Sequence, residues 1–153
     1  MALYLVQHGK SLPKEIDPDQ GLSEEGVAET KRIADVAANY GVNVSHVKHS
    51  VKTRAHKTAE IFATTLNPAR GIVEADGLKP LDDVAVFAAS IDPNENSMLV
   101  GHLPFMERMT SYLVTGSTDK PVFKFQNSGI VCLNKDPDSG SWVIVWTLMP
   151  NIG

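Results

Sequence analysis

The sequence has little cysteine, no long hydrophobic run and no block of like charge. Its single cysteine, Cys132, cannot form an internal disulfide, which favours a reducing compartment. No apolar run approaches the roughly 20 residues that a membrane helix needs. Lys and Arg are scattered along the chain and the formal net charge is −4, so a nucleic-acid surface is not expected. These absences predict a cytoplasmic protein that binds neither membrane nor nucleic acid.

What is present is typical of one globular domain. The chain has 153 residues, of which 42% are hydrophobic and 21% are charged, and no low-complexity tract or linker interrupts it. We therefore expect a single domain over residues 1–153 with one buried core. The apolar run at residues 2–6 has no basic segment before it and no small-residue cleavage site after it. It predicts a buried first strand rather than a signal peptide.

Strand-like and helix-like segments alternate along most of the chain. Strands are expected at residues 2–6, 46–50, 72–75, 97–100, 129–134 and 141–149, the last two joined by a turn-forming segment. Helices are expected after the N-cap Ser23, from about Lys52, over 82–90 and from Pro104. This order predicts a three-layer α/β/α sandwich with a mostly parallel central sheet and a C-terminal β-hairpin.

Helical periodicity predicts which face of each longer helix is buried. The expected faces are Ile33, Val36, Ala37 and Tyr40 in the first, Ala55, Ala59, Phe62 and Leu66 in the second, and Phe105, Met109 and Leu113 in the last. Helices packed in this way would cover both faces of the sheet. Parallel sheets of this kind bind their ligands at the carboxyl ends of the strands.

Three basic side chains fall at that edge of the predicted sheet. His8 follows the first strand, His102 follows the strand at 97–100, and Arg54 lies at the start of the helix after the second strand. Two imidazoles and a guanidinium, with backbone N–H groups at the helix starts, make a site for an oxyanion. One imidazole can attack phosphorus while the other cationic groups hold the phosphoryl oxygens.

Each of these residues also has a structural interpretation. A histidine just after a buried strand is more often structural than catalytic, and Arg54 alone is more often a solvated helix residue. Their co-location favours a ligand site, because Gly9 and Gly101 stand beside the two histidines and glycine lets a ligand approach the backbone.

A metal site is not expected. His46 and His49 are three residues apart on a predicted strand, which puts them on opposite faces of the sheet. Cys132 lies in an apolar strand and is expected to be an inert core thiol. We therefore predict no metal and no cofactor.

Four segments carry a resemblance to a known family. They are residues 3–11 (LYLVQHGKS), 21–26 (GLSEEG), 50–59 (SVKTRAHKTA) and 99–104 (LVGHLP). In order and spacing they resemble the histidine phosphatase superfamily, and within it they are most similar to the SixA-type phosphohistidine phosphatases. The resemblance extends to 78–80, Asp83 and 125–128, and it implies a phosphoglycerate-mutase-like fold.

The resemblance implies a role for each matching residue. His8 corresponds to the phosphorylated nucleophile, Arg54 to a phosphate-binding arginine and His102 to the second histidine of the pocket. The phosphate-binding residues expected from the resemblance are Gln7, Gly9, Lys10 and Leu103. Lys10 could reach the phosphate, and a solvated lysine is an equally good interpretation of it.

The chain departs from the family pattern at two positions. The superfamily has arginine directly before the nucleophile, where this chain has Gln7, and the SixA-type pattern has a further arginine where this chain has Gln20. A glutamine amide donates a hydrogen bond without charge. Losing one charged donor commonly lowers the rate by a factor on the order of 10²–10³. The departures predict either a slow enzyme or a silent binding module.

The expected activity is hydrolysis of phosphohistidine on a partner protein, such as a phosphorelay component, with inorganic phosphate as product. Larger members of the superfamily carry insertions that cover sugar phosphates, and this chain has little length for such a lid. A protein-bound imidazole can leave as a neutral group, so a strong general acid is not essential, although Asp83 is the best candidate. The alternatives are a catalytically silent phosphohistidine-binding module and a small phospho-ester phosphatase or mutase.

Overall fold

The computed structural model of the protein describes residues 1–152. In that range the strands are β1 (Ala2–Gln7), β2 (His46–His49), β3 (Ile72–Glu74), β4 (Ser97–Gly101), β5 (Ile130–Lys135) and β6 (Trp142–Leu148). The helices are α1 (Glu24–Asn39), α2 (Thr53–Leu66), α3 (Val84–Ala89) and α4 (Phe105–Thr115). The order of elements is the predicted one, and each bound lies within about two residues of its predicted position, as expected where element ends fray.

The strands form one sheet in the order β3-β2-β4-β1-β5-β6. The pairs β1–β4, β2–β4 and β2–β3 are parallel, whereas β5 runs antiparallel to β1 and β6 antiparallel to β5. After β1 the chain continues to the β2 side of the sheet, and after β4 it continues to the β5 side. The carboxyl ends of β1 and β4 therefore border the crevice where ligands bind in open α/β sheets.

Helices cover both faces of the sheet, so the predicted three-layer α/β/α architecture is confirmed. On one face, Tyr4 and Val6 of β1 pack in a cluster with apolar residues of α1 and α2, including Phe62. On the other face, Leu3 and Leu5 pack in a second cluster with residues of α3 and α4. The period-two alternation along β1 thus anchors one strand to both helical layers.

The helix ends follow local signals in the sequence. Ser23 caps α1, and its side-chain oxygen accepts a hydrogen bond from the backbone N–H of Gly26 at 3.0 Å. α2 ends at Leu66, and its C-cap residue Asn67 has a backbone in the left-handed region, with φ of 49°. In the described part of the chain, no helix is long and apolar enough to cross a membrane.

The predicted buried face of α1 is wrong at its end. The buried residues are Gly26, Thr30, Ile33, Ala34 and Ala37. Tyr40 is 83% exposed, because the helix ends at Asn39 and Tyr40 is its C-cap. Three further members of the predicted faces, Val36, Leu66 and Leu113, are partly rather than fully buried.

Candidate active site

His8 follows β1 directly and its backbone is fixed on two sides. Its N–H donates to the carbonyl oxygen of Gly101 at 2.9 Å, and its carbonyl accepts from the Asn127 side-chain amide at 2.8 Å. The ring nitrogen Nδ1 lies 2.7 Å from the carbonyl oxygen of Gly9. A carbonyl only accepts, so Nδ1 carries the proton and Nε2 keeps its lone pair.

His102 follows β4 and lies beside His8. The two ring centroids are 5.1 Å apart at an interplanar angle of 59°. The side chain is buried, with 1% of the residue exposed. Its Nε2 is 2.9 Å from the hydroxyl of Ser50, and its Nδ1 is buried without a hydrogen-bond partner among residues 1–152. The two histidines singled out by the sequence are therefore neighbours.

Both imidazoles are neutral at neutral pH. Burial is the main cause that lowers the pKa of His8, with a smaller lowering from Arg54, while the hydrogen bond to Gly9 acts in the opposite direction. Burial also lowers the pKa of His102 to about 3, helped by repulsion from His8 when that ring is protonated and from the Arg54 and Lys52 cations. The positive charge of the site therefore comes from Arg54 and Lys52 rather than from imidazolium groups.

Arg54 is the second residue of α2 and is half-buried. Burial lowers its pKa, although a guanidinium keeps its charge in proteins. Among residues 1–152, neither Arg54 nor Lys52 forms an ion pair with an acidic side chain. Two cations without carboxylate partners beside two neutral imidazoles can bind an oxyanion.

Gly9 is held by hydrogen bonding and by close packing. Its backbone N–H donates to Thr58 Oγ1 at 2.9 Å. A Cβ at this position would lie 2.8 Å from Thr30 Oγ1 and 3.1 Å from Ser128 Oγ, which are bonded to each other at 2.7 Å. Close packing thus explains why glycine is needed here. Its expected contact with phosphate stays a prediction.

Gln7 places a neutral amide next to the predicted nucleophile. It is the last residue of β1, and its carbonyl accepts from the backbone N–H of Ser128 at 2.9 Å. Its side-chain Oε1 is buried and has no hydrogen-bond partner in residues 1–152. Phosphate binding by Gln7 stays a prediction.

Two other expected phosphate ligands have different neighbours. Lys10 Nζ lies 2.6 Å from Glu25 and 3.5 Å from Glu29, and the hydrogen bond to Glu25 is the main cause that raises the pKa of Lys10. Phosphate binding would require Lys10 to leave these carboxylates. The side chain of Leu103 packs against the apolar cluster around α4, so only its backbone remains for an anion.

The other candidates lie in separate surroundings. Asp83 is exposed and caps α3 by accepting from the backbone N–H of Val86 at 3.2 Å. His46 Nε2 is 3.0 Å from Ser97 Oγ, whereas His49 Nδ1 is 2.8 Å from the carbonyl of Ser50. Over residues 1–152, no group of three or more His, Cys, Asp or Glu side chains is arranged to hold a metal ion.

Sequence reasoning missed three residues at this site: Ser50, Lys52 and Thr58. All three lie in the segment 50–59 that carries the family resemblance. The spacing of Thr58 was a usable signal, because a residue four positions after Arg54 lies on the same face of a helix. The Thr58 hydroxyl donates to the Arg54 carbonyl at 2.7 Å.

The sequence matches a family model over residues 3–82, which is more than half of the chain. The chain belongs to the histidine phosphatase superfamily (branch 1). No curated protein matches it at a significant level of sequence similarity.

Solved structures of the same fold extend the comparison to the whole chain. One is the protein histidine phosphatase SixA in complex with tungstate, with 26% identity, a TM-score of 0.83, and coverage of 98% of this chain and 97% of that one. Another is a protein of Agrobacterium tumefaciens assigned as a SixA phosphohistidine phosphatase, with 26% identity, a TM-score of 0.77 and coverage of 97% of both chains. A phosphoserine phosphatase from Entamoeba histolytica, at 14% identity, a TM-score of 0.71 and coverage of 96% of both chains, shares the fold alone.

Proposed function

We propose that the chain hydrolyses phosphohistidine on a partner protein through a covalent phosphoryl intermediate on His8. The observation that carries the proposal is the 2.7 Å contact between His8 Nδ1 and the Gly9 carbonyl. It fixes the proton on Nδ1 and leaves the lone pair of Nε2 for attack on phosphorus. The lowered pKa of His8 acts in the same direction, because a neutral imidazole is the nucleophilic form.

The reaction proceeds as two in-line transfers. Nε2 of His8 forms a bond to phosphorus as the bond from phosphorus to the substrate imidazole breaks. That imidazole leaves as a neutral group when its other ring nitrogen carries a proton. Water then attacks the phospho-His8, which releases inorganic phosphate and restores the imidazole. Arg54, with Lys52 nearby, stabilises the charge on the phosphoryl oxygens in both steps.

The surroundings of the site support a protein substrate. A groove of about 700 Å³ lies next to the site, because Asn127 lines it and bonds the His8 carbonyl through its side-chain amide. His8, Arg54 and His102 do not themselves line this groove. Lys10 and Lys124 also line this groove. An open groove leaves room for the residues that flank a phosphohistidine, whereas an enclosed pocket would favour a small phospho-ester. The SixA neighbours, at 26% identity, carry the corresponding activity in their names.

A second candidate function is a binding module that recognises phosphohistidine without turnover. It is favoured by one observation, the uncharged Gln7 beside the predicted nucleophile, where the family pattern has arginine. One missing charged donor is enough to lower turnover by a factor on the order of 10²–10³.

Phosphate release from phosphoramidate and from a phosphohistidine peptide tests the proposal. We expect both to be hydrolysed and the matching phosphoserine peptide to be left intact. His8→Ala should abolish release, whereas His56→Ala, which changes a half-exposed histidine of α2, should not. Binding of the phosphohistidine peptide without release would favour the binding module. Preference for the phosphoserine peptide would favour a phospho-ester phosphatase.

A further inference from the structure

Ser50 contacts His102 at the carboxyl end of β2. Its backbone N–H donates to the carbonyl of Val100 at 3.0 Å, which extends the β2–β4 ladder by one residue. This fixes the hydroxyl 2.9 Å from Nε2 of His102. Both residues are buried, with exposed fractions of 0% and 1%. The contact is therefore a buried hydrogen bond that determines which nitrogen of His102 is protonated.

The hydrogen bonds around the hydroxyl can be counted for each tautomer of His102. The Ser50 Oγ also accepts from the backbone N–H of Lys52 at 3.5 Å. Within residues 1–152, the hydroxyl proton has Nε2 of His102 as its acceptor. If the Ser50 hydroxyl donates to Nε2, the Nδ1–H of His102 is the one buried group left without a hydrogen-bond partner. If Nε2–H donates to Ser50 instead, both the hydroxyl proton and the unprotonated Nδ1 are left without a hydrogen-bond partner.

We propose that Ser50 is a positioning residue that holds His102 in the Nδ1–H tautomer, so that His102 offers a neutral N–H donor to the phosphoryl oxygens. The assignment of the tautomer rests on hydrogen-bond geometry alone. The role of Nδ1–H as a donor to phosphoryl oxygens rests on the proposed phosphatase function. The nitrogen that lacks a partner belongs to the ring beside His8. A phosphoryl oxygen there would accept from Nδ1–H, whereas the bare lone pair of the other tautomer would repel it.

The tautomer matters because His102 is not charged under working conditions. Its pKa of about 3 keeps the ring neutral at neutral pH. A protonated ring would donate from both nitrogens whatever its neighbour, and Ser50 would then be dispensable. A neutral ring has one proton to place, so the neighbour of Nε2 decides whether Nδ1 donates or accepts.

Nitrogen NMR of the full chain with ¹⁵N-labelled histidine tests the tautomer directly. At pH 7 we expect the Nδ1 of His102 to show the shift of a protonated nitrogen and Nε2 that of an unprotonated one, with the signals assigned by their loss in His102→Asn. Inorganic phosphate should shift the Nδ1 signal more than the Nε2 signal. A protonated Nε2 in the natural chain would overturn the proposal, and this result needs no variant.

Two variants at Ser50 separate positioning from folding. Ser50→Ala should move the His102 signals toward the other tautomer and lower kcat for phosphoramidate by about 10-fold or more, with a smaller change in KM, because a donor to the phosphoryl oxygens is lost in part of the population. Ser50→Thr keeps the hydroxyl and should restore both. An unchanged tautomer in a folded Ser50→Ala chain, or a changed tautomer with unchanged kcat, would overturn the proposal. If the natural chain shows the expected tautomer but never releases phosphate, the proposed phosphatase function fails and the tautomer assignment stands.

Discussion

The hydroxyl of Thr58 joins the predicted nucleophile segment to the helix that carries Arg54. It accepts from the backbone N–H of Gly9 at 2.9 Å and donates to the carbonyl of Arg54 at 2.7 Å. Thr58 is fully buried, so neither bond is exchanged with bulk water. One side chain thus fixes the distance between the end of β1 and the first turn of α2.

Thr58→Val should weaken both stability and turnover. Valine has nearly the same shape as threonine, but it leaves the N–H of Gly9 buried without an acceptor, which costs about 1–3 kcal/mol of unfolding free energy. The segment at His8 would then move relative to Arg54, so kcat should fall more than KM rises. Urea unfolding and phosphoramidate kinetics measure the two effects. Thr58→Ser, which keeps the hydroxyl, is the matched control, and equal losses in both variants would contradict this account.

His102 should make the protein less stable as the pH falls. Its pKa is about 3 in the folded chain and 6.5 in the unfolded one, so between these values the unfolded chain binds the extra proton. The contribution of His102 to the free energy of unfolding is therefore fully present above about pH 6.5 and decreases toward pH 3. The slope from this group is at most about 1.4 kcal/mol per pH unit. The lowered pKa values of His8 and His46 add to the same trend.

Urea unfolding of His102→Gln at several pH values between 4 and 7 checks this contribution. The variant should show a shallower dependence of the unfolding free energy on pH than the natural chain. His56→Gln, the same substitution at a side chain that is 47% exposed, serves as the control for replacing a histidine. An unchanged slope in His102→Gln would mean that His102 does not stay neutral in the folded protein.

Gln7→Arg should raise turnover of phosphoramidate by about 10-fold or more, on the scale of one charged donor. A guanidinium at this position stabilises the trigonal phosphoryl of the transition state more than the ground state. The neutral control Gln7→Met separates charge from side-chain length. Gln20 also stands where the family pattern has a cation. The increase in turnover from Gln7→Arg therefore need not add to the increase from a matching substitution of Gln20. A fall in turnover on Gln7→Arg would show that the glutamine has a role of its own.

The layers of the fold could be predicted from the sequence because each element carries a strong local signal. Buried parallel strands such as β1 are continuous apolar runs, and Ser23 and Asn67 mark helix ends. The sheet order has no such signal, since it depends on contacts between distant segments. The bulge between Cys132 and Leu133 in the hairpin was not visible either: it turns Trp142 and Trp146 toward different cores.

The candidate site could be predicted only in part, for a related reason. The positions of His8 and His102 after buried strands indicated a shared edge, because parallel strands end together. Ser50 and Thr58 carry neither charge nor an unusual neighbour, and their partners are set by backbone positions in other elements. The ion pairs of Lys10 with Glu25 and Glu29 form because the loop after β1 returns to the first turns of α1, which no local pattern specifies.

The most direct test of the account is to look for phosphate on His8. The protein is mixed with phosphoramidate, and the reaction is quenched at alkaline pH, where phosphohistidine survives. The phosphorylated residue is then located by peptide mass spectrometry. We predict a phosphoryl group on His8 that appears within the first turnover, decays as inorganic phosphate is released, and is absent from His8→Ala. Two results would contradict a covalent mechanism at this histidine. One is release of phosphate while His8 stays unmodified at every time point, and the other is undiminished release of phosphate by His8→Ala.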